Sequence, residues 1–307
     1  MRIAVMGAGG VGGYFGARLA AAGHDVAFIA RGRHLMAMRE RGLHVKSALG
    51  DVRLPRPTVT DDPATLGWFD VVLFAVKLWD TESAAAAIKP LLAAGGVAIP
   101  FQNGVESIER VGAVAGTAQV MGGVAYIAAK IAEPGVIAQT GTMARLRFGV
   151  VLPAQQPAAE ALLAACKGAG IDAEIAADIH QALWMKFVFL VALSGVTAAT
   201  RQPVGVVRAD ADLRATFEAA MRETWSVGRA RGVALPDDFV ASQMTFLDGL
   251  PAEMKASMAH DLEAGNRLEA PWLSGAVARM AKEAGTSAPV NATLYAAVKP
   301  YCMGRGT

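Results

Sequence analysis

A chain of 307 residues, 53% apolar and 18% charged, has the length for about two domains and the composition to bury ordinary cores. Its 29 Lys and Arg against 27 Asp and Glu leave a net charge of +2, which excludes a general nucleic-acid binder and a polybasic membrane surface. With no long polar tract or like-charge run, intrinsic disorder is excluded as well. The two cysteines, Cys166 and Cys302, are far apart and have no second Cys or clustered His beside them. They indicate neither a disulfide framework nor a zinc site, and they fit a reducing, cytoplasmic setting.

The first element expected is a strand over 2–6. Its apolar run passes straight into glycine, so it reads as a strand and not as a signal sequence. Directly after it, Gly7-Ala8-Gly9-Gly10-Val11-Gly12 forms G-x-G-x-x-G and opens a helix over 11–22. In that setting the first glycine permits a tight turn, the second lets a pyrophosphate approach the backbone, and the third lets helix pack on strand. The helix N-terminus stabilises the phosphate charge. These six residues are the expected cofactor loop.

A second strand, 26–30, ends in Arg31-Gly32-Arg33-His34. NAD enzymes place an acid at this strand end to hold the ribose 2′-hydroxyl. The nearest acid, Asp25, enters the strand and stands at its wrong end. Arg31 and Arg33 suit a 2′-phosphate, so NADP(H) is the expected cofactor; the competing reading is a solvated arginine turn.

A strand over 71–76 ends at Lys77, a helix is expected over 81–93, and a strand over 97–101 runs into Gln102-Asn103-Gly104. Lys77 and Asn103 thus stand at the carboxyl ends of parallel strands, where open α/β sheets bind ligands. Turn signals at Gly104, Gly122-Gly123, Pro134-Gly135 and Thr140-Gly141 leave room for antiparallel strands over 136–138 and 145–150. After Asp178 strand signals give way to helical periodicity over 183–199, 213–231, 258–284 and 292–298.

The boundary falls near 170–178, which predicts an α/β fold: a Rossmann-type doubly wound dinucleotide-binding domain over 1–175, then an all-α domain over 176–307. A ligand site between the two is expected. The most apolar stretch, 187–200, is shorter than the ~20 residues of a bilayer span, so no membrane segment is predicted. Within the helical half, Lys186 interrupts the apolar run 182–190. An unpaired buried ammonium is costly, so this lysine either meets a partner or ligand or snorkels from the helix edge.

Taken in order, several features resemble the ketopantoate reductases (2-dehydropantoate 2-reductases). They are GAGGVGGYFGARLAAAGHDV, Val76-Lys77, Gln102-Asn103-Gly104-Val105, Trp184-x-Lys186, Ser257 with Glu269 twelve positions on, and Pro289-x-Asn291-x-x-Leu294-Tyr295. The resemblance covers nearly the whole chain. It implies NADPH-dependent reduction of 2-dehydropantoate in pantothenate biosynthesis, with Lys186 as catalytic general acid stabilising the alkoxide that grows on the keto oxygen. It also implies that Lys77 and Asn103 hold the cofactor, with Asn103 near substrate, and that Ser257 and Glu269 contact substrate or cofactor hydroxyls. A surface helix carboxylate is the competing reading of Glu269. His180 reads as a helix-start residue.

The family's lysine helix continues as Lys-x-x-x-Asn-x-x-x-Asn, whereas here Leu190 and Ser194 take those places on the lysine's face. Leucine donates nothing, and Ser194 can contact substrate only at shorter reach. A more apolar pocket would weaken discrimination for ketopantoate's hydroxyl and carboxylate. Three readings follow: a ketopantoate reductase, a paralogous NADPH reductase of another 2-keto acid or related carbonyl or imine, and a non-catalytic NADP(H) sensor, which Lys186 disfavours. The expected partner is a small-molecule 2-keto acid, not nucleic acid or membrane. A homodimer through apolar surface such as Trp272-Leu273 is the one protein contact left open, core being the default for that surface.

Overall fold

The computed structural model describes residues 1–305. They form two compact units, the first built from 1–102 with 106–179, the second from 103–105 with the chain from His180 onward.

In the first unit, strands and helices alternate as β1 (Arg2–Met6), α1 (Gly10–Ala21), β2 (Asp25–Ile29), α2 (Gly32–Arg41), β3 (Leu43–Lys46), β4 (Val52–Leu54), β5 (Thr58–Thr60), β6 (Phe69–Phe74), α3 (Thr81–Ile88), β7 (Leu92–Pro100), α4 (Ser107–Ala115), β8 (Gly122–Glu133), β9 (Val136–Gly149), α5 (Gln156–Gly168) and β10 (Asp172–Ile175). Five strands pair in the order β5-β2-β1-β6-β7, all parallel, which is the open α/β sheet expected of a Rossmann-type fold. Its central strands are buried over Ile3–Met6, Val26–Ile29 and Val71–Phe74, as aliphatic runs covered on both faces must be. A second sheet joins β10, β9, β3 and β4, with β8 antiparallel to β9.

Helix α1 lies between the two sheets, and its glycines permit this. A Cβ at Gly12 would stand 2.8 Å from the Val5 side chain on β1, while one at Gly10 would overlap the Ala129 carbonyl on β8. The helix that begins the cofactor loop is thereby fixed from both sides.

The second unit is helical: α6 (Ile179–Thr200), α7 (Val204–Ala209), α8 (Ala211–Ala230), α9 (Phe239–Asp248), α10 (Ser257–Ala264), α11 (Ser274–Glu283) and α12 (Pro289–Val298). Its core gathers Phe187, Val191 and Val196 of α6 with Phe217, Met221, Leu247, Val277 and Leu294. Leu273 belongs to this core and Trp272 is half-buried. Both cysteines are buried and unpaired, Cys166 in the first unit and Cys302 in the second.

Several expected elements are corrected. The 81–93 helix stops at Ile88, where Lys89-Pro90-Leu91 tightens into a 3-10 turn before β7. The two short antiparallel strands are one strand, β9, antiparallel to β8 but parallel to β3 and β10. The 258–284 helix is broken by Gly265 at φ +74 and by Pro271, giving α10 and α11. The apolar stretch over 187–200 is not short, because it belongs to α6, which runs for 22 residues and is long and apolar enough to cross a membrane by length and composition. It is the central helix of a folded unit, with 72% of its apolar window buried.

The Pro289-x-Asn291 motif has a structural reason. Glu223 of α8 accepts hydrogen bonds from the Val290 and Asn291 backbone N–H groups at 2.8 Å each, so its carboxylate caps the N-terminus of α12. The Asn291 amide donates to Glu223 and to the Ala220 carbonyl, at 2.8 and 3.0 Å. Glu223→Ala strips three donors of a shared acceptor and is expected to lower unfolding free energy by about 2–4 kcal/mol, read as a lower urea midpoint. An unchanged midpoint would show that α12 docks without this cap.

Candidate active site

The first unit holds the dinucleotide loop. Gly7 sits at φ +97, a conformation reserved for glycine, and a Cβ there would press on the Ala75 backbone at 2.9 Å. Its N–H and that of Ala8 donate to the Ile29 carbonyl at 3.2 and 3.1 Å, tying the loop to the end of β2. Gly9 is the N-cap of α1, and a Cβ built there meets nothing within 4 Å. The first intrahelical bond runs from the Gly13 N–H to the Gly9 carbonyl at 2.7 Å, so the preceding N–H groups, through Val11 and Gly12, have no acceptor within the helix. A helix N-terminus facing open space at Gly9 fits the pyrophosphate of a nicotinamide dinucleotide.

Arg31 is the N-cap of α2, so Arg31-Gly32-Arg33-His34 begins a helix, with its first three residues exposed. Its guanidinium is 70% exposed and pairs with Asp80 at 2.6 Å, an acid 49 positions away that no local pattern connects to it. Lys77 is exposed, three residues beyond β6, with its ammonium 5.8 Å from the centre of the Trp79 ring. Gln102 is buried and donates to the Val76 carbonyl at 2.9 Å and to Thr81 Oγ1 at 3.0 Å, locking the ends of β6 and β7 together. The tripeptide around Asn103 contained this residue, but nothing in the sequence signalled its clamp.

The second unit brings Lys186, Asn103 and Glu269 together. Lys186 Nζ donates to Asn103 Oδ1 at 3.0 Å. Gly104, at φ +92, turns the chain beside the Trp272 carbonyl, which a Cβ would meet at 3.5 Å. That carbonyl belongs to the 3-10 turn Ala270–Trp272, whose N-cap is Glu269, 7% exposed. Glu269 is therefore a buried carboxylate and not a surface one. Burial pushes the Lys186 ammonium down to about 8, and the Glu269 carboxylate partly offsets that fall. An ammonium carries three N–H donors, enough for the Asn103 carbonyl and an incoming oxygen together.

The other expected contacts lie apart in character. Ser194 is 1% exposed, and its hydroxyl completes no protein hydrogen bond, whereas Thr197 on the same helix bonds the Leu193 carbonyl at 2.6 Å. Leu190 is half-buried against the helical core. Ser257 stands exposed as the first residue of α10, and His180 is the second residue of α6.

The chain matches the family described as Ketopantoate reductase PanE/ApbA over residues 3–153, and its C-terminal counterpart over 178–301. It is 32% identical to a 2-dehydropantoate 2-reductase of Archaeoglobus fulgidus across 97% of both chains. An oxidoreductase of Bacillus subtilis without an assigned substrate is 31% identical across 98% of this chain and 99% of its own. Among solved structures, a PanE/ApbA family ketopantoate reductase from Ralstonia eutropha superposes with a TM-score of 0.89 at 33% identity, covering 98% of each chain. With a Rossmann-type nicotinamide site in one unit and a half-buried lysine beside an amide and a carboxylate in the other, the chain belongs to the ketopantoate reductase family, oxidoreductases acting on a CH–OH/C=O group.

Proposed function

We propose that this protein reduces 2-dehydropantoate to pantoate with NADPH, a step of pantothenate biosynthesis. The observation that carries the reading is Lys186 bonded to Asn103 beside buried Glu269, in a chain matched to the reductase family in both halves.

A bound nicotinamide supplies the hydride that reaches the keto carbon. The chain's own residues handle the charge and the proton. Lys186, cationic below about 8, places a positive charge where the keto oxygen becomes an alkoxide, and gives up a proton from Nζ to that oxygen. Asn103 holds the ammonium through its Oδ1, and Glu269 favours the charged form against burial. Loop residues Gly7 to Gly12 would hold the pyrophosphate, with Lys77 at the same strand edge.

NADPH preference rests on Arg31 and Arg33, which suit a 2′-phosphate where an acid would suit a 2′-hydroxyl. Arg31→Ala is expected to raise KM for NADPH about tenfold and leave KM for NADH nearly unchanged. An equal loss for both cofactors would place the 2′-phosphate elsewhere.

Leu190 favours a second reading, reduction of a 2-keto acid with an apolar substituent. It lies one helical turn beyond Lys186 and brings no hydrogen-bonding group to that face. Rates of NADPH oxidation with ketopantoate and with a series of 2-keto acids of increasing apolar bulk separate the two. A kcat/KM highest for ketopantoate supports the first reading. Preference for a bulky apolar acid, shifted toward ketopantoate by Leu190→Asn, supports the second.

A further inference from the structure

His34 is used by none of the chemistry above, yet it is 9% exposed and sits in the first turn of α2, three residues after Arg31. Its Nδ1 accepts a hydrogen bond from the Gly135 N–H at 3.0 Å, at the hairpin turn between β8 and β9. The hairpin is seated closely there, because a Cβ on Gly135 would stand 3.2 Å from the Ala37 side chain of α2. A neutral imidazole accepting at Nδ1 carries its proton on Nε2. Burial holds the ring below its usual pKa, and its contact with the Ala8 backbone only partly opposes this, so the neutral form is the one at hand. Nε2 is itself buried and has no hydrogen-bond partner among the described residues, while the Ala8 backbone is the group that acts on the ring.

Ala8 lies in the middle of the glycine loop. Its carbonyl and the Gly9 N–H belong to one trans peptide, in which C=O and N–H point in opposite directions. A donor that holds the Ala8 carbonyl from the α2 side therefore aims the Gly9 N–H the other way, at a residue whose surroundings are open enough that a Cβ would meet nothing within 4 Å.

We propose that His34 is a positioning residue of the dinucleotide loop: anchored to the β8–β9 turn through Nδ1, it presents Nε2–H to the Ala8 carbonyl and so orients the Gly9 N–H toward the cofactor pyrophosphate. This rests on a nicotinamide dinucleotide occupying the loop. The pyrophosphate is common to NADPH and NADH, so His34 governs affinity for both and contributes nothing to the choice between them.

Two variants separate its two contacts. In His34→Asn the side-chain oxygen can take the place of Nδ1 and keep the Gly135 bond, but nothing reaches Ala8. In His34→Gln the amide N–H reaches as far as Nε2. Fluorescence titration with NADPH and NADH, together with steady-state kinetics, is the test. His34→Asn is expected to fold and to weaken binding of both cofactors by about tenfold, with the loss appearing in KM for cofactor and not in kcat at saturation. His34→Gln is expected to bind within about threefold of the parent chain. Parent-like affinity in His34→Asn, or equal weakening in both variants, would overturn the proposal. A parent chain that binds neither NADPH nor NADH would instead overturn the dinucleotide reading beneath it.

Discussion

Lys186→Ala is expected to lower kcat by about 10²–10⁴-fold, the range lost when a positioned general acid and its charge are both removed. KM for NADPH should stay close to that of the parent chain, since the cofactor loop belongs to the other unit. The same residue sets the pH dependence. Only the ammonium donates, so the rate should fall as pH rises through about 8, and that descending limb should vanish with the lysine. Stability runs the other way. The folded value of about 8 lies below the ordinary 10.5, so the folded chain holds the proton less tightly than the unfolded one, though the ammonium still prevails at neutral pH. The resulting cost is fully present below about 8, disappears above 10.5, and is on the order of 3 kcal/mol. Lys186→Met, which keeps the stem and removes the charge, is therefore expected to be nearly inactive and to melt about 4–8 °C higher at neutral pH. A lower melting temperature would mean that the ammonium is well solvated or fully paired.

A pair of glycine substitutions is expected to have comparably large and opposite consequences. Gly10→Ala drives a methyl group into the Ala129 carbonyl of β8, a backbone atom that cannot step aside, and should cost about 3 kcal/mol or leave the chain insoluble. Gly9→Ala meets nothing and should melt like the parent. Its methyl group stands where a pyrophosphate would approach, so NADPH affinity should fall by about 10²-fold. Thermal melts paired with NADPH titration check both. A stable Gly10→Ala variant would contradict the position of α1 between the sheets. Unimpaired NADPH binding by Gly9→Ala would move the pyrophosphate away from this loop.

Much of this architecture was legible because it depends on short-range chemistry. The glycine spacing announced the loop, aliphatic runs announced β1, β2, β6 and β7, and helical periodicity announced α6, α8 and α12. Elements held by distant partners left weaker traces. The three-residue strands β4 and β5 are too short to show a period, and β9 hid its length behind the Thr140-Gly141 turn signal, on both sides of which β8 pairs with it. Helix α2 was obscured by arginines and a glycine at its start.

The site divided in the same way. Lys186 was visible as a lone charge in an apolar helix, and Asn103 as a polar residue at a strand end. Their bond was not, because it joins positions 83 apart. Glu269 carried an ambiguous signal that only its burial resolves. Asp80 beside Arg31 and His34 against Gly135 had no local pattern at all, since each contact forms between elements that meet only in the folded unit.

The most direct test of Lys186 as the acid of a 2-keto acid reductase is steady-state NADPH oxidation with ketopantoate, measured on both sides of about pH 8 for the parent chain and for Lys186→Ala. Turnover by the parent is expected to decline above about 8, and the variant to be slower by about 10²–10⁴-fold with no such decline. A Lys186→Ala chain that turns over at the parent's rate, or a parent that binds NADPH yet oxidises it with neither ketopantoate nor any other 2-keto acid, would contradict this assignment.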